Sequence, residues 1–448
     1  MQLRLKLKRT NVKLLLLYTI CTLFAWYGAS KGTNRFGVIA LILSLYYMFT
    51  NSPEENFDFL VAMIPYQYCW LISGTSLRGV MCLIPTAMLP LKKRNGKAPF
   101  GCVLGTFMLI FSEVLNDMFH TGIPSFINTI CPILYLGFFS IMIGSDTSNW
   151  DIIKMMKIFI ISSTIACFAN LLVGGGLSAY NNDIPWYRFG QESAETYLPG
   201  AMELPLFSSI SILIIISLFS YYHLDNCYKR IFWGGLLGIH LLFGILTVSR
   251  VFILCMTVVF LLLFIWMIRY SNFTQLAKII MFIFIVILFA MIFYYDLIAL
   301  LINKMVDRLF ITNSDVAHGR SFIWIDCIKY LFYNIKALLI GEGIEYYSVL
   351  GMQNGYYFSM MAHNFYLDVL MGTGVVGALS LIAMYKNIIR PDNKRNTLSY
   401  GILAIIIFAF CVSGSLNYTR NYIYIMMGII FMNNFKDQIE NRGFKRIA

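Results

Sequence analysis

The stretch Ala317–Gly377 begins AHGRSFIWID and closes with MMAHNFYLDVLMGTGVVG, a polar excursion in an otherwise oily chain. It sets Arg320 and His363 at its two ends. Connections in compact proteins usually run to about 4–6 residues, and much longer ones are functional or disordered. The apolar content here argues against disorder. From Phe322 to Phe332 apolar side chains recur at every third or fourth place, punctuated by Asp326 and Lys329. That spacing predicts a short amphipathic helix lying on a surface or interface. The loop is therefore expected to be structured and to be the working part of the molecule.

Outside this stretch the composition decides the class. The 448 residues are 59% hydrophobic, 16% aromatic and only 12% charged, too apolar for a water-facing globule. The chain reads as an integral membrane protein. Its formal charge of +12 would suggest nucleic acid in a soluble protein. In a membrane protein the cations first report topology. Of the ten cysteines, eight fall inside apolar runs, with no CxxC and no Cys/His cluster, so neither zinc nor disulfides are expected. The N-terminal MQLRLKLKRTNVK and the apolar run after it could pass for a signal peptide, but the cleavage site is weak, and an uncleaved first helix is the better reading.

Apolar runs near 14–30, 36–50, 59–72, 79–91, 100–116, 125–144, 156–173, 204–222, 231–248, 251–268, 279–300, 364–385, 398–414 and 421–434 predict an all-α polytopic fold of about fourteen transmembrane helices. The pair 59–72 and 79–91 is short; one helix through both would carry Ser73, Gly74, Arg78 and Gly79 at mid-depth. The domains are then 1–173 (helices one to seven), 174–203 (first outer loop), 204–300 (helices eight to eleven), 301–362 (large outer loop, partly helical) and 363–448 (helices twelve to fourteen and tail). With the N-terminus inside, the clusters at residues 4–13, 92–97, 386–395 and 436–446 all become cytoplasmic, as the positive-inside rule requires. Both termini are thus expected inside, and no nucleic-acid partner is needed to explain the charge.

This topology gathers Arg188, Arg250, Arg320, His363 and Arg420 on the outer face. Arg250, in the tight hairpin LTVSRVF, would cost about 2.5–3.5 kcal/mol if buried unpaired in the membrane. Two readings stand, a snorkelling anchor or an anion-binding fork. The fork fits better, because an interfacial anchor is more often Trp, Tyr or Lys, while a planar guanidinium grips phosphate with two donors. Arg188 and Arg320 are each ordinary alone; together, outward arginines above a bilayer suit a lipid-linked diphosphate whose tail stays in the membrane. His363, at the start of the run 364–385, can exchange protons near neutrality. It could equally be a helix-start histidine bonded to backbone. Glu192, Glu195, Asp315 and His318 are fallback bases on the same face, each also readable as a solvated loop residue.

The order YRFGQ and YLPG in one loop, TVSR at a hairpin, HGRSFIWIDCIKYL followed by GEGIEYY, and AHNFYLDVLMGTGVVG entering a helix resembles the bacterial O-antigen polymerase and O-antigen ligase superfamily. The likeness spans roughly Tyr187–Gly377 and the arginine before the last helix, with the HNxYLxxLxxxGxxG-like run its most specific part. It implies a metal-independent, cofactor-free, inverting glycosyl transfer at the periplasmic face of the bacterial inner membrane, from an undecaprenyl-diphosphate-linked oligosaccharide. By the same resemblance Arg250 and Arg320 hold the donor diphosphate, His363 stands beside the acceptor, and Arg188 and Arg420 assist. Pro199–Gly200 replaces the family's usual Pro-Asn, which weakens the role of Arg188. A polymerase is favoured over a ligase acting on lipid A-core, with membrane lipid and a chain-length regulator protein as expected partners. A flippase of lipid-linked sugar is the rival of another class, but it would place binding groups near the bilayer midplane, whereas the distinctive charges here cluster at one face.

Overall fold

The computed structural model describes residues 9–69, 71–72, 75–76, 99–119, 130–145, 150–173, 189, 198–200, 203–221, 227–270, 299–300, 303, 320–343, 346, 350, 362–389, 397–412 and 418–441. Along these the chain is helical: α1 (Arg9–Ser30), α2 (Asn34–Thr50), α3 (Pro53–Met63), α4 (Phe100–Phe119), α5 (Cys131–Ser145), α6 (Ile152–Val173), α7 (Glu203–Tyr221), α8 (Cys227–Leu246), α9 (Arg250–Tyr270), α10 (Arg320–Tyr333), α11 (Ile335–Ile340), α12 (Phe365–Ile388), α13 (Gly401–Val412) and α14 (Tyr418–Asn441).

Most of the expected apolar runs coincide with one of these helices. The run 59–72 does not form a single helix. It is α-helical to Met63, 3₁₀-helical over Ile64–Cys69, and then joins an antiparallel pair of two-residue strands, Leu71↔Ser76 and Ile72↔Thr75. Runs 79–91 and 279–300 lie outside the described residues, apart from helical residues 299–300 at the end of the second.

Which side of each helix is oily shows the solvent. Large apolar side chains point outward on α1 (Leu16, Ile20, Leu23), α4 (Phe100, Phe107, Phe111) and α9 (Phe260, Phe264, Ile268), whereas the bundle interior holds Ser112, Asn116, Ser162, Ser208, Ser209 and His240. Such a surface is stable against lipid and not against water. Among the described residues three helices, Ile152–Leu172, Cys227–Leu246 and Phe365–Ile388, are long and apolar enough to cross a membrane, and seven shorter ones are apolar. The protein is an α-helical membrane protein.

Polar contacts set the register of the N-terminal helices. Ser52 and Glu55 cap α3 reciprocally with Pro53 in its first turn. Buried Asp58 pairs with Lys154 of α6 at 2.6 Å, and Glu54 accepts the Asp151 N–H at 2.8 Å. Deeper in, the Ser162 hydroxyl donates to the Ala62 carbonyl (2.5 Å) and shares a hydrogen bond with Tyr18 (2.8 Å).

The structural centre of the C-terminal half is an interlock between α11 and α12. At Gly374 (φ 63°, ψ −167°) α12 leaves helical geometry and its ladder opens. The chain after α11 fills the gap: the Glu342 N–H donates to the Met371 carbonyl (2.7 Å) and the Gly343 N–H to the Gly372 carbonyl (2.9 Å). Side chains of α4 complete the joint, Ser112 Oγ and Asn116 Nδ2 each donating to the Ile340 carbonyl at 2.8 Å. Gly341 (φ 78°) lies so close to the Gly372 carbonyl that no Cβ would fit. The GEG and GTG motifs are thus two halves of one backbone joint.

Candidate functional site

The large loop has a core of its own. Ile323, Cys327, Tyr330 and Leu331 of α10 pack with Ala337, Tyr346, Leu350, Ala362 and Met371. The opposite face of α10 exposes Phe322 (68%), Ile325 and Phe332 (74%), the amphipathic pattern expected over 322–332. Glu342, buried, is bound by the Tyr330 hydroxyl (3.0 Å), Asn334 Nδ2 (3.3 Å) and Lys336 Nζ (2.6 Å), so its carboxylate serves the α10–α11 hairpin.

Three of the expected site residues come from separate elements. Arg250 is the first residue of α9, after a hairpin in which Val248 takes φ 45° and the Thr247 hydroxyl donates to the Gly244 carbonyl (2.7 Å). A β-branched residue in the left-handed region is a real outlier, and it is what permits a reversal this short. Arg320 is the first residue of α10. His363 stands just before Asn364, the N-cap of α12, whose Oδ1 accepts from the Tyr366 and Leu367 N–H groups. His363 itself has φ 53°, one of two non-glycine residues in the left-handed region among those described. Strain of this kind costs about 1–3 kcal/mol and persists where the surroundings enforce it.

All three are half-buried, and Arg320 is within electrostatic reach of each of the other two. Burial and then the neighbouring Arg250 charge hold the Arg320 guanidinium below its ordinary value. Burial and then Arg320 lower the His363 imidazole from its usual 6.5. His363 is therefore neutral at pH 7, with a lone pair available to accept a proton, in the field of Arg320.

Their position on the helices sharpens this. A helix N-terminus carries about +0.5 of an elementary charge and disfavours cations by about 0.3–1 kcal/mol each. Yet Arg250 and Arg320 open their helices with no acidic residue in either first turn. Two arginines at helix starts and a neutral histidine are thus brought into one neighbourhood, with donors of the kind that suit an anion.

The Ala362 peptide holds His363 from both sides. Its N–H donates to Asp368 Oδ1 and to the Tyr346 oxygen, both at 3.0 Å, and its carbonyl accepts from Trp324 Nε1 (2.8 Å), one turn beyond Arg320. The Tyr346 hydroxyl in turn donates to Asp368 Oδ1 at 2.6 Å. Burial and the Asp368 charge push the Tyr346 hydroxyl up, which keeps it a donor. On the other side Asn364 Nδ2 donates to the Cys411 carbonyl (3.1 Å), setting the start of α12 against the end of α13. Sequence reading passed over Tyr346, Asp368 and Trp324, although all three lie inside motifs quoted for other residues.

Arg420 lies in the first turn of α14, which follows α13. Arg188, Glu192, Glu195, Asp315 and His318 lie outside the described residues. The neighbour of Arg188, Phe189, is buried against Phe243 (ring centroids 5.3 Å apart) in a cluster with Leu246 and Val248, beside the hairpin that leads to Arg250.

Fold and site together define a polytopic α-helical membrane protein with a cationic, histidine-bearing centre at one end of its bundle. Residues 235–382 match the family model for O-antigen ligase, a span that includes Arg250, Arg320 and His363. Neither curated proteins nor solved structures give a match to the chain.

Proposed function

We propose that this protein is a glycosyltransferase of the bacterial inner membrane, a polymerase that joins undecaprenyl-diphosphate-linked oligosaccharide repeat units into an O-antigen or capsule-like polysaccharide. The observation that carries the reading is that Arg320 lies within electrostatic reach of both Arg250 and His363, all within residues 235–382, which match the O-antigen ligase family model. Arg250 and Arg320 grip the donor diphosphate, with Arg188 and Arg420 in reserve. The acceptor hydroxyl attacks the anomeric carbon from the face opposite the diphosphate. The C–O bond to the diphosphate breaks with inversion, and the hydroxyl proton passes to His363. The leaving lipid diphosphate keeps the bonding electron pair, stabilised by the two guanidinium groups.

The depressed basicity of free His363 has a use in this scheme. A bound diphosphate brings negative charge against Arg250 and Arg320 and offsets the field they exert on the imidazole. The histidine is thus a better base when donor is present than when the site is empty. Fourteen crossings, both termini cytoplasmic and the site periplasmic complete the reading. Lipid and a chain-length regulator are its neighbours.

Purified protein in detergent, given lipid-linked repeat units, is expected to elongate them without nucleotide or membrane gradient. His363→Ala is expected to lose elongation about 10²–10⁴-fold while still binding donor. Equal elongation by His363→Ala would move the base to Glu192, Glu195 or Asp315. The family description favours a ligase as second reading. Product formed only when lipid A-core is added would establish the ligase, and no product in detergent, where there are no two sides, would favour a flippase.

A further inference from the structure

We infer that Tyr346 and Asp368, together with Trp324, are positioning residues that fix His363 relative to Arg320 by clamping the Ala362 peptide. The inference rests on the reading of His363 as the acceptor-side base. Both backbone hydrogen-bonding groups of Ala362 are occupied. The N–H reaches both Asp368 Oδ1 and the Tyr346 oxygen, and the carbonyl takes the Trp324 indole N–H. Trp324 is on the helix that Arg320 opens, and Asp368 is on the helix His363 precedes. The clamp therefore ties the anion-binding end of α10 to the histidine before α12, and it holds the backbone beside His363 in place while His363 keeps φ 53°.

A plainer role for Asp368 is an acid in the first turn of α12, favoured by the helix dipole. That role needs no burial. Asp368 is fully buried and its Oδ2 has no hydrogen-bond partner among the described residues, an arrangement that costs stability rather than adding it. Its other oxygen takes bonds from the residue next to the histidine and from the tyrosine that bonds the same residue. A carboxylate retained at such a cost, and bonded to the Ala362 N–H and the Tyr346 hydroxyl, serves geometry.

Tyr346→Phe keeps the ring in its core and removes the hydroxyl. We expect kcat per folded molecule to fall roughly 10–100-fold, since a displacement of about 1 Å at a reacting group can cost two orders of magnitude. KM for the lipid-linked donor should stay within about twofold, because the arginines are untouched. Tyr330→Phe is the matched control: it removes a buried tyrosine–carboxylate bond from the same hairpin, at Glu342, and should leave kcat unchanged. Should Tyr346→Phe not fold, Asp368→Asn takes its place, keeping one oxygen for the Ala362 N–H and falling less than Asp368→Ala. A second readout needs no catalysis. Carbethoxylation of His363 by diethyl pyrocarbonate, followed by peptide mass spectrometry, should run several-fold faster in Tyr346→Phe than in wild type. Unchanged kcat, a loss confined to KM, or an unchanged labelling rate would overturn the clamp. If wild type makes no polymer, the enzymatic reading fails, and the labelling rate alone decides whether the clamp holds the histidine.

Discussion

Gly374→Ala should break the joint on which the site rests. At φ 63° and ψ −167° alanine is strained, at about 1–3 kcal/mol. An added Cβ would also stand 2.5 Å from Ile340 N and from the Leu339 carbonyl carbon and oxygen, all backbone atoms. Contact between such atoms is comfortable at about 3.5–4.0 Å, so α11 has to retreat by about 1 Å. Retreat stretches the Glu342–Met371 and Gly343–Gly372 bonds and the two bonds from Ser112 and Asn116 to Ile340, each worth about 0.5–1.5 kcal/mol net. Losing two of the four as well as bearing the strain gives about 2–6 kcal/mol, against a total of about 5–15 kcal/mol for a typical domain. Gly238→Ala in α8 is the control. There the new Cβ meets nothing within 4 Å. Thermal unfolding in detergent followed by tryptophan fluorescence, with elongation measured on the same samples, should show Gly374→Ala melting a few degrees lower and losing activity first. Equal melting of the two variants would refute the interlock as the support of the site.

The remaining expectations concern charge and orientation. Arg250→Lys should not recover the elongation lost in Arg250→Ala, because lysine keeps the charge but not the two-pronged fork; full polymer at normal protein level would return Arg250 to the role of an interfacial anchor. Activity requires neutral His363, and burial and Arg320 lower its proton affinity, so the acid limb of kcat/KM should fall below the unperturbed 6.5. Arg320→Gln should move that limb upward, and a limb that stays put would remove Arg320 from the neighbourhood of the base. A cysteine placed at Asn354 should react with a membrane-impermeant reagent from the periplasmic side; reaction only after the inner membrane is permeabilised would invert the topology.

How much of this could be read from residues alone depended on how local each feature is. Amphipathic spacing over 322–332 predicts α10 because its partners lie on one face of a single helix. Arg250, Arg320 and His363 stood out because each is a polar side chain at the edge of an apolar run. The Ala362 clamp did not stand out, since Tyr346, Trp324 and Asp368 meet only when α10 and α12 are brought together. Likewise the glycines of GEG and GTG mark turns in sequence, but nothing local says that the two turns bond to each other. The strand pair at 71–76 escaped because a short apolar run looks the same whether helix, 3₁₀ turn or strand.

The distribution of roles between the halves follows from the same contacts. Arg250, Arg320 and His363 all fall within residues 235–382, yet that segment does not hold its own geometry. The Ile340 carbonyl, at the end of α11, is satisfied by Ser112 and Asn116 of α4, far outside it. Val248 and Leu246, beside the hairpin of Arg250, pack on Phe189, Cys167 and Leu204 from earlier elements. A buried carbonyl left without those donors would cost about 1–3 kcal/mol, and α11 would no longer be pinned against α12. The N-terminal half, which carries no motif, is therefore the wall against which the loop and the hairpin are aligned. Substitutions at Ser112 and Asn116 should then act on activity through the placement of His363, although neither side chain belongs to residues 235–382.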